Sequence, residues 1–283
     1  MKQYDALTCH ADRSTLDLIT AVSELLEITG IVDNEASVTL YFEEGKLTEE
    51  TMNTIRSWVP EGVDAEFERG RVEEQNWNAE FEASLEPVRL TDTLVITQSW
   101  NPVEPASPDD LVVTIDPKMS FGTGHHESTR LIARLMTRVP FAARRVLDVG
   151  TGTGVLAIIA ARKGAERVVA VDNNEWAVQN TRENIALNGV PEIVVIHGEL
   201  ADVDEGDFDV VLANIHRNVI IELLPLMRSR MTDRGNAVLL TSGVLFEDYD
   251  SLVTAAEEHG LVPLDEEREN EWIATTFGEA VGE

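Results

Sequence analysis

The run Val146-Leu147-Asp148-Val149-Gly150-Thr151-Gly152-Thr153-Gly154, followed by the apolar residues 155–161, constrains this chain more than any other stretch. A β-branched run, a tight glycine turn and a helix-forming segment read as strand, loop and helix, the opening unit of a doubly wound α/β domain. Glycines let such a loop take backbone angles closed to residues with a Cβ, and let a ligand approach its N–H groups. Here they run G-x-G-x-G with Val155 in the sixth position, not the G-x-G-x-x-G of a dinucleotide site, and no Gly-Lys-Ser/Thr ending follows. NAD, FAD and ATP are therefore disfavoured.

A second apolar run, residues 167–171, ends in Asp172. An acid at the tip of the second strand is placed to accept both hydroxyls of a ribose. With no pyrophosphate to hold, a ribose and a short loop fit S-adenosylmethionine. Gly150, Gly152 and Asp172 are then candidate cofactor contacts, and the expected fold is that of a class I methyltransferase.

The chain has 283 residues, enough for two modest domains. No apolar run approaches the roughly 18 residues of a membrane span, and residues 1–5 carry no signal-peptide pattern, so a cytoplasmic protein without membrane contact is expected. Cys9 is the single cysteine, which excludes an intrachain disulfide and a cysteine-rich metal site; it is expected as a small buried side chain in the first strand. The charge is unusual: 52 acidic against 22 basic residues give a formal net charge of -30, and Lys2, Lys46, Lys118 and Lys163 are the only lysines. Such a surface repels nucleic-acid phosphates, so no direct nucleic-acid contact is expected. It suits either attraction to a basic protein or adaptation to high salt, and the scarcity of lysine along the whole chain favours the second.

Residues 1–70 read as a small unit of their own. Strands are predicted at 4–8, 38–42 and 63–67, with helices from Ser14 to Gly30 and from Thr48 through Trp58, an order that suggests a ferredoxin-like module. Residues 71–110 read as a connector helix and linker: Trp77 and Phe81 share a helix face, and the Pro-rich residues 101–108 suit a surface loop. Residues 111–283 carry the larger domain. Within it, Phe121-Gly122-Thr123-Gly124-His125-His126 describes a flexible loop ahead of a helix from about Glu127 to Thr137, able to cover a ligand. His125 and His126 point apart on any regular element and lack a third ligand, so no metal is expected. Counting from Val146, seven strands alternate with helices, and the last two join directly as an antiparallel hairpin.

The Asp116-Pro117 to Thr129 segment with its Phe-Gly-Thr-Gly-His-His-Glu core, the connector with Trp77 and Phe81, the 147–152 loop and Ala213-Asn214-Ile215 together resemble the ribosomal protein L11 methyltransferase family. The similarity runs from about Trp77 to the C-terminus, and the N-terminal unit matches in kind. The resemblance implies an α/β fold: a doubly wound, seven-stranded class I methyltransferase (Rossmann-like) domain with a small N-terminal ferredoxin-like α+β domain. It also implies a cytoplasmic, monomeric enzyme that uses S-adenosylmethionine to methylate lysine or N-terminal amines of a large-subunit ribosomal protein at the stalk base, held by the N-terminal domain. Carried over by position, the cofactor contacts fall on Thr129, Gly150, Asp172 and Asn214, with Asn214 also facing the reacting amine. Thr129, in the first turn of its helix, would meet the methionine carboxylate. The chain departs from the family at His216-Arg217-Asn218, where small apolar residues are commoner, and Glu199 is a candidate partner for the adenine amino group.

Methyl transfer from an activated sulfonium needs little acid-base machinery; positioning and desolvation of a free amine supply most of the effect. The rival readings are a methyltransferase for RNA or a small molecule, and a cofactor-binding module without catalysis. The Asn-Pro-Pro-Tyr tetrapeptide of glutamine and adenine amino methylation is missing at 214–217, which weakens the first. A complete set of loop, ribose acid and strand-tip Asn weakens the second.

Overall fold

A computed structural model describes residues 3–23, 26–34, 36–60, 62–73, 85–118 and 120–279. The chain divides into two compact units, Met1–Trp77 and Asn78–Glu283. The connector segment with Trp77 and Phe81 lies outside the described residues.

The first unit runs β1 (Gln3–His10), α1 (Arg13–Val22), β2 (Gly30–Asn34), β3 (Ser37–Glu43), α2 (Glu49–Ser57) and β4 (Glu66–Glu73), with sheet order β2-β3-β1-β4 and every pair antiparallel. This is the ferredoxin-like arrangement. Alternation in β1 and β3 turns Leu7, Cys9, Val38, Leu40 and Phe42 onto the face that Leu16 and Ile19 of α1 and Met52 and Ile55 of α2 cover. Burial there raises the Cys9 thiol pKa.

Two boundaries differ from the sequence reading. Gly30 does not end the first helix but opens β2: α1 stops at Val22, where the Ser23 hydroxyl bonds the Thr20 carbonyl at 2.7 Å, and Thr29 already donates to Tyr41 of β3 at 2.8 Å. β2 is an edge strand with Ile31 and Val32 exposed, so its residues show no in-out alternation to announce it. β4 begins at Glu66 because Val63 is held in a turn by the Pro60 carbonyl.

The second unit opens with β5 (Val88–Arg89), β6 (Leu94–Thr97) and β7 (Leu111–Thr114), a three-stranded sheet of which β5 and β6 lie in the stretch expected to be linker. Then follow α3 (Glu127–Arg138), β8 (Arg145–Val149), α4 (Val155–Arg162), β9 (Arg167–Asp172), α5 (Glu175–Asn188), β10 (Val194–His197), β11 (Val210–Asn214), α6 (Arg217–Arg230), β12 (Val238–Leu245), α7 (Tyr249–Glu257), β13 (Leu261–Glu269) and β14 (Trp272–Glu279). The seven strands lie in the order β10-β9-β8-β11-β12-β14-β13, the first five parallel and β14 antiparallel to both its neighbours. The period of two sends alternate residues to opposite faces. Val146, Val168, Val210 and Leu212 pack under α3 and α4, while Leu147, Val169, Val211 and Ala213 pack under α6 and α7.

α5 joins by another chemistry. Asn180, Asn184 and Asn188 recur at four-residue spacing on one face and clasp the end of β7. Asn180 donates to the Asp116 carbonyl at 2.7 Å, Asn184 accepts from Asp116 N at 2.9 Å, and Asn188 exchanges bonds of 2.9 and 2.6 Å with Thr114. Among the described residues, no helix is long and apolar enough to cross a membrane.

Candidate functional site

Parallel strands bring the ends of β8, β9 and β11 to one edge of the sheet, where the loops that follow them open a crevice. There a cavity of about 630 Å³ is lined by Gly150, Gly152, Asp172 and Asn214, and by Lys118, Phe121, Ile215 and Trp176 among others.

The glycine loop is fixed from three sides. Gly150 N donates to the Val171 carbonyl at 2.9 Å, Thr153 N to the Phe121 carbonyl at 2.9 Å, and the Gly152 carbonyl accepts from the Thr181 hydroxyl at 2.8 Å. Both leading glycines are required. With φ of 70° and 58°, Gly150 and Gly152 lie in the left-handed region, and a Cβ on the first would collide with the Ile215 side chain, on the second with the Phe121 carbonyl. The 120–124 loop is thereby laid directly on the glycine loop, and the Thr153 hydroxyl adds a 2.9 Å bond to the Gly122 carbonyl.

Asp172 ends β9 with its carboxylate anchored: Oδ2 accepts from Gly152 N and Oδ1 from Asn174 N, each at 2.9 Å. A carboxylate has about four lone-pair sites, so about two are left for a pair of vicinal hydroxyls. Beneath the loop, Asp148 is fully buried, with Oδ2 accepting from the Thr151 hydroxyl at 2.6 Å and Ala157 N at 3.2 Å, and Oδ1 without a partner among the described residues. Burial pushes its pKa up to about 7; the two hydrogen bonds oppose that rise, and the Asp172 charge adds to it.

Asn214 ends β11. Its Nδ2 donates to the Thr129 hydroxyl at 3.4 Å, and its buried Oδ1 has no partner among the described residues. Leaving such an acceptor unpaired costs about 1–3 kcal/mol, a cost a ligand donor would remove. Thr129 is itself fully buried and is not on the cavity wall. In its helix turn, Ser128 N donates to His126 Nδ1 at 3.2 Å and Thr129 N to the His126 carbonyl at 3.1 Å, and the contact of Thr129 with the cavity wall is its hydroxyl on Asn214.

The two histidines part company. His126 caps α3 and packs edge-on between Phe121 and Trp272, at ring-centroid distances of 5.2 and 4.7 Å, while His125 is exposed. Glu199 is exposed, off the wall, and accepts from Asn173 Nδ2 at 2.9 Å. Arg217, part of the unusual tripeptide after Asn214, is turned to Asp248 at 3.0 Å and to the Ser251 hydroxyl at 3.1 Å. Sequence reasoning had not singled out Lys118, Ile215 or Trp176 as wall residues; Ile215 had a signal in its place beside Asn214, whereas Trp176 reads as an ordinary member of a helix.

The family model described as ribosomal protein L11 methyltransferase (PrmA) matches residues 2–279. This chain belongs to the ribosomal protein L11 methyltransferase family. Similar members include the protein of that name from Chlorobaculum parvum, 34% identical over 278 residues that cover 95% of this chain and 94% of the relative. Another is the one from Bacteroides fragilis, 33% identical over 264 residues, with 92% and 93% covered. Among solved structures, the ribosomal protein L11 methylase from Lactobacillus delbrueckii subsp. bulgaricus superposes with a TM-score of 0.65 at 30% identity, over 69% of this chain and 99% of that one. The match extends through the N-terminal unit, beyond the stretch from Trp77 onward that carried most of the sequence resemblance.

The cofactor of L11 methyltransferases is S-adenosylmethionine. The residues present fit it: glycines that bring backbone within reach, a strand-tip carboxylate with free acceptor sites, and a buried amide oxygen lacking a donor.

Proposed function

We propose that this chain transfers methyl groups from S-adenosylmethionine to amino groups, on lysine side chains or at the N-terminus, of ribosomal protein L11. The observation that carries the reading is Asn214: an amide at the tip of β11, on the same cavity wall as Gly150, Gly152 and Asp172, with a buried oxygen that no donor among the described residues meets. The cofactor supplies an activated methyl group. Asp172 holds the ribose hydroxyls, and Gly150 and Gly152 admit the amino-acid end to their backbone. Asn214 Oδ1 accepts an N–H of the incoming amine and aims its lone pair, and Thr129 fixes the Asn214 amide from behind. Removing a lysine from water lowers its pKa and raises the fraction of neutral, nucleophilic amine.

In this reading the first unit holds the protein substrate, and the second, which β5–β7 open, carries out the transfer. The chain works as a cytoplasmic monomer, and its net charge of -30 supports a protein rather than a nucleic-acid partner. Incubation with methyl-labelled cofactor and separated ribosomal components is the test. Label in the L11 band is expected, and label in RNA with none in protein contradicts the reading.

A further inference from the structure

Trp176 is 81% exposed, more than any other large apolar side chain among the described residues. It belongs to none of the three apolar clusters, and among the described residues no ring or guanidinium packs on its indole. Its position is nonetheless fixed. It stands in the first turn of α5, where Asn174 Oδ1 accepts from Trp176 N at 2.9 Å, and Asn174 N in turn donates to Asp172 Oδ1 at 2.9 Å. The indole is therefore rooted in the same turn as the ribose acid, and it lines the cavity beside Asn173, Asn174 and Ala177.

We infer that Trp176 is a stacking wall for the adenine ring of the cofactor. The inference rests on the assignment of the ribose to Asp172. With the ribose there and the reacting methyl near Asn214, the base is directed the other way, along the β9–α5 turn that Asn173, Trp176 and Ala177 line. A purine is flat and π-rich, and what binds it irrespective of charge is an aromatic face. Glu199, the candidate for the adenine amino group, is exposed and engaged with Asn173, so the stacking surface carries the base more than a charged contact does. Covering the base also removes from water the most exposed apolar ring among the described residues of this unit.

Two probes separate the ends of the ligand: S-adenosylhomocysteine carries the adenosyl and amino-acid parts, methylthioadenosine the adenosyl part alone. Calorimetry on the full chain is expected to show Trp176→Ala weakening both by the same factor, on the order of tenfold for loss of one base stack. Trp176→Phe retains most of the affinity. Tryptophan emission of the parent falls on adding S-adenosylhomocysteine, and most of that fall is missing in Trp176→Phe. Unchanged affinity of Trp176→Ala for both probes overturns the inference, and a raised KM for the acceptor protein alongside it assigns the indole to substrate contact instead. Asp172→Ala is measured in parallel. Should that variant bind S-adenosylhomocysteine as the parent does while Trp176→Ala weakens both probes, the ribose assignment fails and the stacking wall stands.

Discussion

The glycine loop and the β13–β14 hairpin belong to one domain and are held by opposite means. The loop is fixed by buried and half-buried hydrogen bonds without an ion pair: Thr181 and Asn184 of α5 to the Gly152 and Thr153 carbonyls at 2.8 and 2.9 Å, Thr153 to Phe121 and Gly122, and Gly152 N and the Thr151 hydroxyl to the carboxylates of Asp172 and Asp148. The outer strand of the hairpin is tied to α3 by charge. Arg130 and Arg134 of α3 converge on Glu269 at 2.5 and 2.9 Å, and Arg138 meets Asp265 at 2.9 Å and also Glu267. Short hydrogen bonds out of bulk solvent are little affected by salt, whereas partly exposed ion pairs weaken as screening shortens the reach of each charge from about 10 Å at 0.1 M to about 3 Å at 1 M. The site is thus insulated from the ionic conditions to which the edge of its sheet responds.

The contrast breaks most sharply at Gly152. Gly152→Val forces a β-branched residue to a φ of 58° and drives its Cβ onto the Phe121 carbonyl. Strain of about 1–3 kcal/mol is expected at the loop, with the apolar sheet intact. Calorimetry with S-adenosylhomocysteine is expected to show affinity reduced by about a hundredfold or more.

Asp148 sharpens it, as the one ionisable group buried beneath the neutral loop. Its folded pKa of about 7 lies above the ordinary 3.8. Between those values the unfolded chain ionises first while the folded one keeps its proton, so stability falls as pH rises across the window and levels off above it. Asp148→Asn removes the titration and keeps an oxygen for Thr151 and Ala157. Urea unfolding from pH 4 to pH 8 is expected to show the parent losing on the order of a few kcal/mol and the variant staying nearly flat.

Glu269 gives the smallest effect and the one that reads salt. Its pKa is lowered, first by its bond to Arg130, so its contribution is present above the ordinary 4.5 and is lost as pH falls through the depressed value. Glu269→Gln is expected to cost about 1 kcal/mol in dilute buffer and less in molar KCl. The whole chain moves the other way, because screening relieves the repulsion behind a net charge of -30, so the parent's thermal midpoint rises from 0.1 to 2 M KCl by expectation.

What the sequence made legible follows the same division. The strands of the large sheet announce themselves because they are apolar on both faces, and Asp172 and Asn214 can be found by counting to their tips. Gly150 and Gly152 are equally plain, since positive φ beside a close neighbour demands glycine. The charged residues 265–269 hide the second half of β13, whose acids pair with arginines on a helix more than a hundred residues earlier in the chain. β2 is too exposed to alternate, and β5 and β6 are too short to stand out from a linker. The place of Thr129 behind Asn214 depends on which side of one helix turn faces the strand tip, a tertiary fact with no local signature. Trp176 is the counterpart: its residue type is visible, but its exposure on the wall is not.

The central claim is that the strand-tip amide of Asn214 presents the amine to the methyl donor, and single-turnover transfer of labelled methyl to ribosomal protein L11 tests it most directly. Asn214→Ala is expected to transfer about a hundredfold more slowly than the parent, the usual scale for losing one positioning hydrogen bond at a reacting centre, while S-adenosylhomocysteine affinity changes by less than about tenfold. Transfer at the parent's rate by that variant contradicts the account.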